Sequence, residues 1–400
     1  MTPIMNVRRS ICLIFLAALG FQLILGLAIP PLPPGSHDST SWEAVGRSLA
    51  AGLGFVEDGR AITVRPPGYP FFLSIFYRIS EDGGNDLARW VQVLLSCATS
   101  VLIFMIGLNV FDGKTAFWGG ILSGLLPSGA VYSRFIASES FFTFLMVLCL
   151  HQLVSGQESR SLKKYSVSGI LMGISNLSRS VLSFFPFFLI AAALALKRNR
   201  KEISGIFLAS AVSFLVIAPW TLRNYKVLGG FLLVNVGAGQ ALWLGSQQET
   251  GGRYVGSSHP SYRQFDPLLQ DAIGWERASM AVAVRNARSD ILGYARLTAK
   301  KFVLQWFEPI GGQIVRQKSG SLFYLLTLLN AGFVLLAFWG MGESWAIKER
   351  AYPLLAIIIY YGVTHLLIFP LARFRMPFEP VLALFAVHGL LNLKERVRRA

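Results

Sequence analysis

The feature that most limits the fold of this chain is the recurrence of apolar windows long enough to cross a bilayer. A helix needs about 20 apolar residues to span roughly 30 Å of hydrocarbon. Such windows recur along the 400 residues, roughly at 11–30, 88–109, 116–133, 139–154, 166–178, 181–196, 203–221, 322–341, 352–370 and 379–392. Only 14% of residues are charged and 53% are hydrophobic, whereas a soluble domain carries about 25% charged residues. The expectation is an all-α polytopic membrane protein of about ten transmembrane helices. The pair at 166–196 is short enough to be two half-buried helices.

The first window follows Arg8 and Arg9 and ends at Pro30-Pro31, where a cleavage site would need small residues. It reads as an uncleaved anchor. The net charge of +16 would suggest nucleic acid in a soluble protein, but here cations must first be sorted by membrane side. Clusters at Arg8-Arg9, Lys114, Arg160 to Lys164, Lys197 to Lys201, Lys348 to Arg350 and Lys394 to Arg399 fall in short gaps between windows, as cytoplasmic turns should. Both termini are therefore expected in the cytoplasm of a bacterial inner membrane, with no nucleic-acid partner. Cys12, Cys97 and Cys149 lie in apolar windows and read as small core residues. They form no disulfide or CxxC metal pattern, and the five histidines have no HxxxH spacing.

Three regions follow: residues 1–221 with a first outer loop at 31–87, a long outer loop at 222–321, and residues 322–400 with a basic tail. In the first loop, Trp42, Val45, Leu49 and Phe55 line one side of a helix expected over Ser41 to Ala51, suited to the membrane surface. Gly68 to Ile79 is apolar but too short to cross, and reads as interfacial or re-entrant. The long loop carries a candidate amphipathic helix from Trp275 to about Phe307, and reads as a small covering domain.

Charges near the outer helix ends are the informative ones: Arg65, Arg134, Arg179, Arg223, Arg373 and Arg375. A guanidinium is a planar fork of donors that matches phosphate, so several at one face suit a phosphorylated lipid head group. The bland reading is snorkelling to the interface or pairing with local acids. Asp38 and Glu139 stand at the lip of the hydrocarbon, where a carboxylate is expensive unless it has a partner or a task. For Glu139 the plain alternative is an ion pair with Arg134 or Arg179.

The order of these features resembles the C-type glycosyltransferases, in particular the branch of family 39 holding the protein O-mannosyltransferases and the lipid A aminoarabinose transferase. The likeness is carried by Asp38-Ser39-Thr40-Ser41-Trp42, Arg65-Pro66-Pro67-Gly68-Tyr69-Pro70, Ala137-Ser138-Glu139-Ser140, Gly173 to Arg179, Pro219 to Asn224, and Arg373-Phe374-Arg375-Met376-Pro377. It implies a C-type bundle with periplasmic interfacial helices. It also implies a sugar donor on a polyprenyl phosphate and a glycan, lipid or protein acceptor at the periplasmic face. By it, Asp38 is the base and Glu139 a second acidic site residue. Arg65, with Arg179, Arg223, Arg373 and Arg375, would hold the carrier phosphate. Trp42, Tyr69 and Trp243 are candidate pocket aromatics. No cofactor follows from the motifs; a divalent cation shared by Asp38 and Glu139 is left open. Two other classes compete. A lipid or anion transporter would show inverted repeats and charges near the midplane, whereas these cluster at one face. A non-catalytic scaffold predicts no dependence on Asp38.

Overall fold

The computed structural model describes residues 6–28, 39–62, 64–268, 271–311, 316 and 319–399, and Asp38 lies outside them. Among the described residues, six stretches are long and apolar enough to cross a membrane, at Val7–Leu27, Gly84–Val110, Glu139–Ser159, Arg200–Leu228, Gly320–Leu367 and Ala372–Arg399. The chain is a multi-pass membrane protein. Helices stand at every window read from the sequence: α1 (Val7–Ala28), α4 (Gly84–Val110), α5 (Gly113–Gly124), α7 (Glu139–Ser159), α8 (Leu162–Ser178), α9 (Phe185–Ala195), α10 (Arg200–Leu228), α14 (Gly320–Glu343), α15 (Lys348–Leu367) and α16 (Glu379–Arg399).

Between them on one face lie α2 (Ser39–Ala50), α3 (Gly68–Ile79), α6 (Pro127–Tyr132), α11 (Ala238–Ser246), α12 (Ala272–Ser289) and α13 (Ile291–Phe307). Strands β1 (Val56–Glu57) and β2 (Arg60–Ala61) form a small antiparallel hairpin. Its turn is Asp58-Gly59, both at positive φ (49° and 73°). An Asp-Gly pair supplies such a turn at little cost.

Two readings of single long helices need correction. The window at 116–133 breaks after Gly124, and Pro127 opens α6 in the first turn, where its missing N–H is no loss. The amphipathic run from Trp275 to Phe307 divides at Asp290, whose carboxylate accepts from the Gly293 N–H at 2.8 Å and so starts α13 as an N-cap. Cys12 is exposed on α1 rather than in the core.

The main core joins α7, α8, α9, α15 and α16 through side chains such as Phe142, Leu150, Tyr165, Leu189, Tyr361 and Phe385. Helices α14 and α16 cross at Gly340 and Gly389. A Cβ on Gly340 would overlap the Phe385 carbonyl, so only glycine allows that approach. On the loop-bearing face, α2 buries Trp42, Val45 and Leu49, the side expected from their spacing: Trp42 packs against α3, and Val45 and Leu49 pack with Phe55 and Trp220.

Residues 238–289 build a small core of their own. Trp243 packs at 4.8 Å against both Tyr262 and Phe265, nearly edge-on. Glu276 accepts from the Gly237 and Gly239 N–H groups at 2.9 and 2.7 Å, which satisfies the start of α11. This core is fastened to the bundle by Lys301 of α13. Its buried ammonium donates to the Gly245 carbonyl at 2.9 Å and, more weakly, to the Leu367 carbonyl at 3.4 Å, at the end of α15.

Burial pushes the Lys301 amine down from 10.5 to about 8. An unfolded lysine binds its proton up to the higher value, so between about pH 8 and 10.5 the unfolded chain holds a proton that the folded chain has released. Stability contributed at Lys301 therefore rises with pH across that window and is flat below it. The melting temperature of the wild type minus that of Lys301→Met, followed in detergent at rising pH, should stay level below that window and climb within it. A level difference throughout would contradict this account.

Candidate active site

The site is assembled where α7 begins and α8 ends. Pro66 and Pro67 fix the backbone ahead of α3, with Pro67 at its N-cap. A Cβ on Gly68 would lie 2.9 Å from the Leu177 carbonyl atoms and nearer still to the Ser178 hydroxyl. The absence of a side chain lets this turn rest on the last turn of α8. The turn that follows Arg65 thus rests beside Arg179, the C-cap of α8.

Glu139 opens α7 and is buried. One of its carboxylate oxygens lies 2.9 Å from Nη1 of Arg179, which also approaches the Ser138 hydroxyl at 3.4 Å. The expected ion pair is thus with Arg179 rather than Arg134. The Arg179 guanidinium stands over Phe142 and Phe374, 5.9 and 5.8 Å from their ring centres. Arg373 lies over the same Phe374 ring at 5.7 Å. Its charge acts on Glu139, and the charges of Glu139, Arg373 and Arg179 all reach the Tyr132 hydroxyl.

A run of aromatic rings joins this group to Arg65. Its guanidinium lies 4.7 Å from the Trp42 ring centre, Trp42 meets Tyr69 edge-on at 5.4 Å, and the Glu139 charge reaches Tyr69. The Tyr69 hydroxyl donates to Gln92 Oε1 at 2.8 Å. Gln92 in turn donates to the Ser133 and Phe135 carbonyls just before α7. Tyr69 is fully buried and Trp42 nearly so, which corrects their reading as pocket-lining rings. They form the packed wall that holds Arg65 and the start of α7 together.

The other sequence candidates are more scattered. Arg223 lies near the end of α10 over Trp220 (4.8 Å) and Phe55 (5.7 Å), with Nη1 on Asn224. It flanks the group: Trp220 and Asn224 bind the Val234 carbonyl, and Asn235 binds that of Val64, beside Arg65. Arg134 packs against Gly26 of α1.

Two readings are overturned. Trp243 is buried in the core of the loop region, packed against Tyr262 and Phe265 rather than lining an open pocket. Arg375 is 1% exposed and its donors are used within the protein. They bind Glu379 (2.9 Å), the carbonyls of Gln305 (2.9 Å) and Trp306 (2.6 Å), and Asn330 (2.7 Å). Among the described residues no group of three or more His, Cys, Asp or Glu side chains could hold a metal ion.

Phe374, Tyr132 and Gln92 were missed in the sequence. Phe374 stands inside the motif that carried Arg373 and Arg375, where a ring between two cations could have been read as their support.

The comparisons with known proteins agree with this architecture. Superposition gives the archaeal oligosaccharyltransferase AglB from Archaeoglobus fulgidus, in complex with an inhibitory peptide and a dolichol-phosphate. The TM-score is 0.59 at 14% identity, over 98% of this chain and 50% of that one. The apo form of the Archaeoglobus fulgidus enzyme gives 0.60 at 12% identity, over 98% and 51%. ArnT from Cupriavidus metallidurans superposes at 0.44 with 13% identity, over 96% and 77%. The chain spans about half the length of the oligosaccharyltransferase structures it matches. No curated protein matches it by sequence.

The fold is that of the C-type membrane glycosyltransferases. Within it, residues 64–222 match the family model described as dolichyl-phosphate-mannose-protein mannosyltransferase, as the sequence motifs led us to expect. The matched segment contains Arg65, Glu139 and Arg179.

The Arg375–Glu379 pair gives a test of the corrected role. Removing one partner of a buried pair strands the other charge, at a cost of about 3–5 kcal/mol. Arg375→Met should therefore lower the thermal midpoint sharply, and Arg375→Met with Glu379→Met should recover part of the loss. A silent single substitution would return Arg375 to the list of available cations.

Proposed function

We propose that this protein is an inverting glycosyltransferase. It takes a sugar from a polyprenyl-phosphate carrier and delivers it to an acceptor hydroxyl at the loop-bearing face, which we read as the periplasmic side of the inner membrane. The observation that carries this reading is the meeting of Arg179 and Arg373 around Glu139, with the turn that follows Arg65 resting on the end of α8. The match to a mannosyltransferase family model over these residues supports it. So does the dolichol-phosphate in the complex of the Archaeoglobus enzyme, which shares the fold.

The chemistry follows from the leaving group. An acceptor hydroxyl attacks the anomeric carbon as the carbon–oxygen bond to the carrier phosphate breaks on the opposite side. The phosphate leaves as a stable anion, so cations that meet its growing charge replace a general acid. Arg179, Arg373 and Arg65 are the residues we assign to that task, with Arg223 at the flank. Asp38 is the group we assign to receive the acceptor proton. The ion pair with Arg179 gives Glu139 the work of orienting that guanidinium rather than of moving a proton. Residues 222–321 would cover the site from the aqueous side, and glycan, lipid or protein acceptors all fit this scheme.

Purified protein, undecaprenyl-phosphate sugar and envelope membranes as the acceptor source should release undecaprenyl phosphate. Asp38→Asn should slow release by about 10²–10⁴, the usual worth of a general base. Arg179→Gln should raise KM for the donor and lower kcat as well. Transport of the lipid across liposomes without cleavage, or full activity of Asp38→Asn, would overturn the proposal.

A further inference from the structure

We propose that Phe374 is the positioning residue of the phosphate clamp, its ring holding Arg179 and Arg373 ready for the carrier phosphate. This rests on the reading of the site given above.

The geometry is specific. Both guanidinium groups lie over one ring, at 5.8 and 5.7 Å from its centre, so the two charges can be no farther apart than the sum of those distances. Two like charges that both act on Glu139 repel each other and, without a further support, would drift apart or collapse onto that carboxylate. The ring prevents both. A guanidinium is drawn to the negative face of a π-system, a contact that uses none of its N–H donors. A second carboxylate in that place would hold the arginines too, but it would compete with phosphate for the same donors. An aromatic face attracts the cation without that competition.

Phe374 is itself held in place. Its backbone N–H donates to the Leu371 carbonyl at 2.9 Å, and its ring packs at 5.5 Å against both His365 and Phe369. Phe369 continues at 5.4 Å to Tyr254 of the loop region. The support for the two cations is thus built from the bundle and the loop region together, rather than from the short turn alone.

The test is equilibrium binding of undecaprenyl phosphate, with uncharged undecaprenol as the parallel ligand, to the purified full-length protein in detergent. Phe374→Leu keeps an apolar side chain and removes the π face. It should weaken undecaprenyl phosphate about fivefold or more and leave undecaprenol unchanged, while Phe374→Trp should bind phosphate within about twofold of wild type.

Unchanged phosphate affinity in Phe374→Leu would overturn the inference. So would an equal loss for both ligands, which is the mark of a packing defect. The double variant Arg179→Gln with Arg373→Gln separates the two levels of the argument. If it weakens phosphate binding and Phe374→Leu does not, only the role of Phe374 fails. If it too binds undecaprenyl phosphate like wild type, the assignment of this site to phosphate fails with it.

Discussion

The ion pair between Glu139 and Arg179 is the contact on which the arrangement of this face depends. It joins the first residue of α7 to the residue that ends α8, and these helices pack side by side over their length. Glu139 is buried, so removing Arg179 would leave its carboxylate near hydrocarbon without the ion pair, with only the more distant Arg373 charge acting on it. The pair therefore ties the start of α7 to the end of α8. Through Gly68 on the end of α8 and Tyr69 near Glu139, it also sets where α3 and the Arg65 turn must lie.

Two Arg–Glu pairs of similar length stand in this part of the protein, and their surroundings separate them. Arg375 has Glu379, Asn330 and the carbonyls of α13 around its guanidinium, and it ties the last helix to the loop region. Such a group is spent. Arg179 meets one carboxylate, one long contact to a hydroxyl and two aromatic faces. It remains a partly engaged fork, and that difference gives it the greater capacity for an incoming anion.

This contrast also marks how far the sequence could be read. The windows of apolar residues located the bundle, because hydrocarbon leaves a chain little other choice. The spacing of Trp42, Val45 and Leu49 placed the buried side of α2, and the short apolar run at Gly68–Ile79 is α3 with the same ends. Breaks inside windows were harder to see. Asp290 and Pro127 carry ordinary capping chemistry that a hydropathy pattern passes over. For the site, Arg179 and Glu139 were legible as charges at a membrane lip, and Arg65 as part of a basic-Pro-Pro turn. Availability was not legible. Arg373 and Arg375 look equivalent two residues apart, yet on a tight 3-10 turn one points to Phe374 and the other into the core. Trp243 gave no sign that its partners would be Tyr262 and Phe265, well downstream in the chain.

The one-sided placement of charge bears on mechanism as well. Arg179 and Arg373 act on the buried Glu139, and Arg65 stands over Trp42, at the end of the bundle that carries α2, α3 and the loop region. A carrier that moved an anion across the bilayer would need compensating charge along its path, near the midplane. At the opposite end of the bundle the buried acid Glu202 is closed off by Arg198 and the Tyr352 hydroxyl, at 3.1 and 2.7 Å. A phosphate drawn to the arginines would meet its strongest attraction at the face where it arrived, with no comparable cluster described deeper in the bundle to draw it on. That gradient suits a reaction in which the lipid stays in its leaflet while the sugar leaves it.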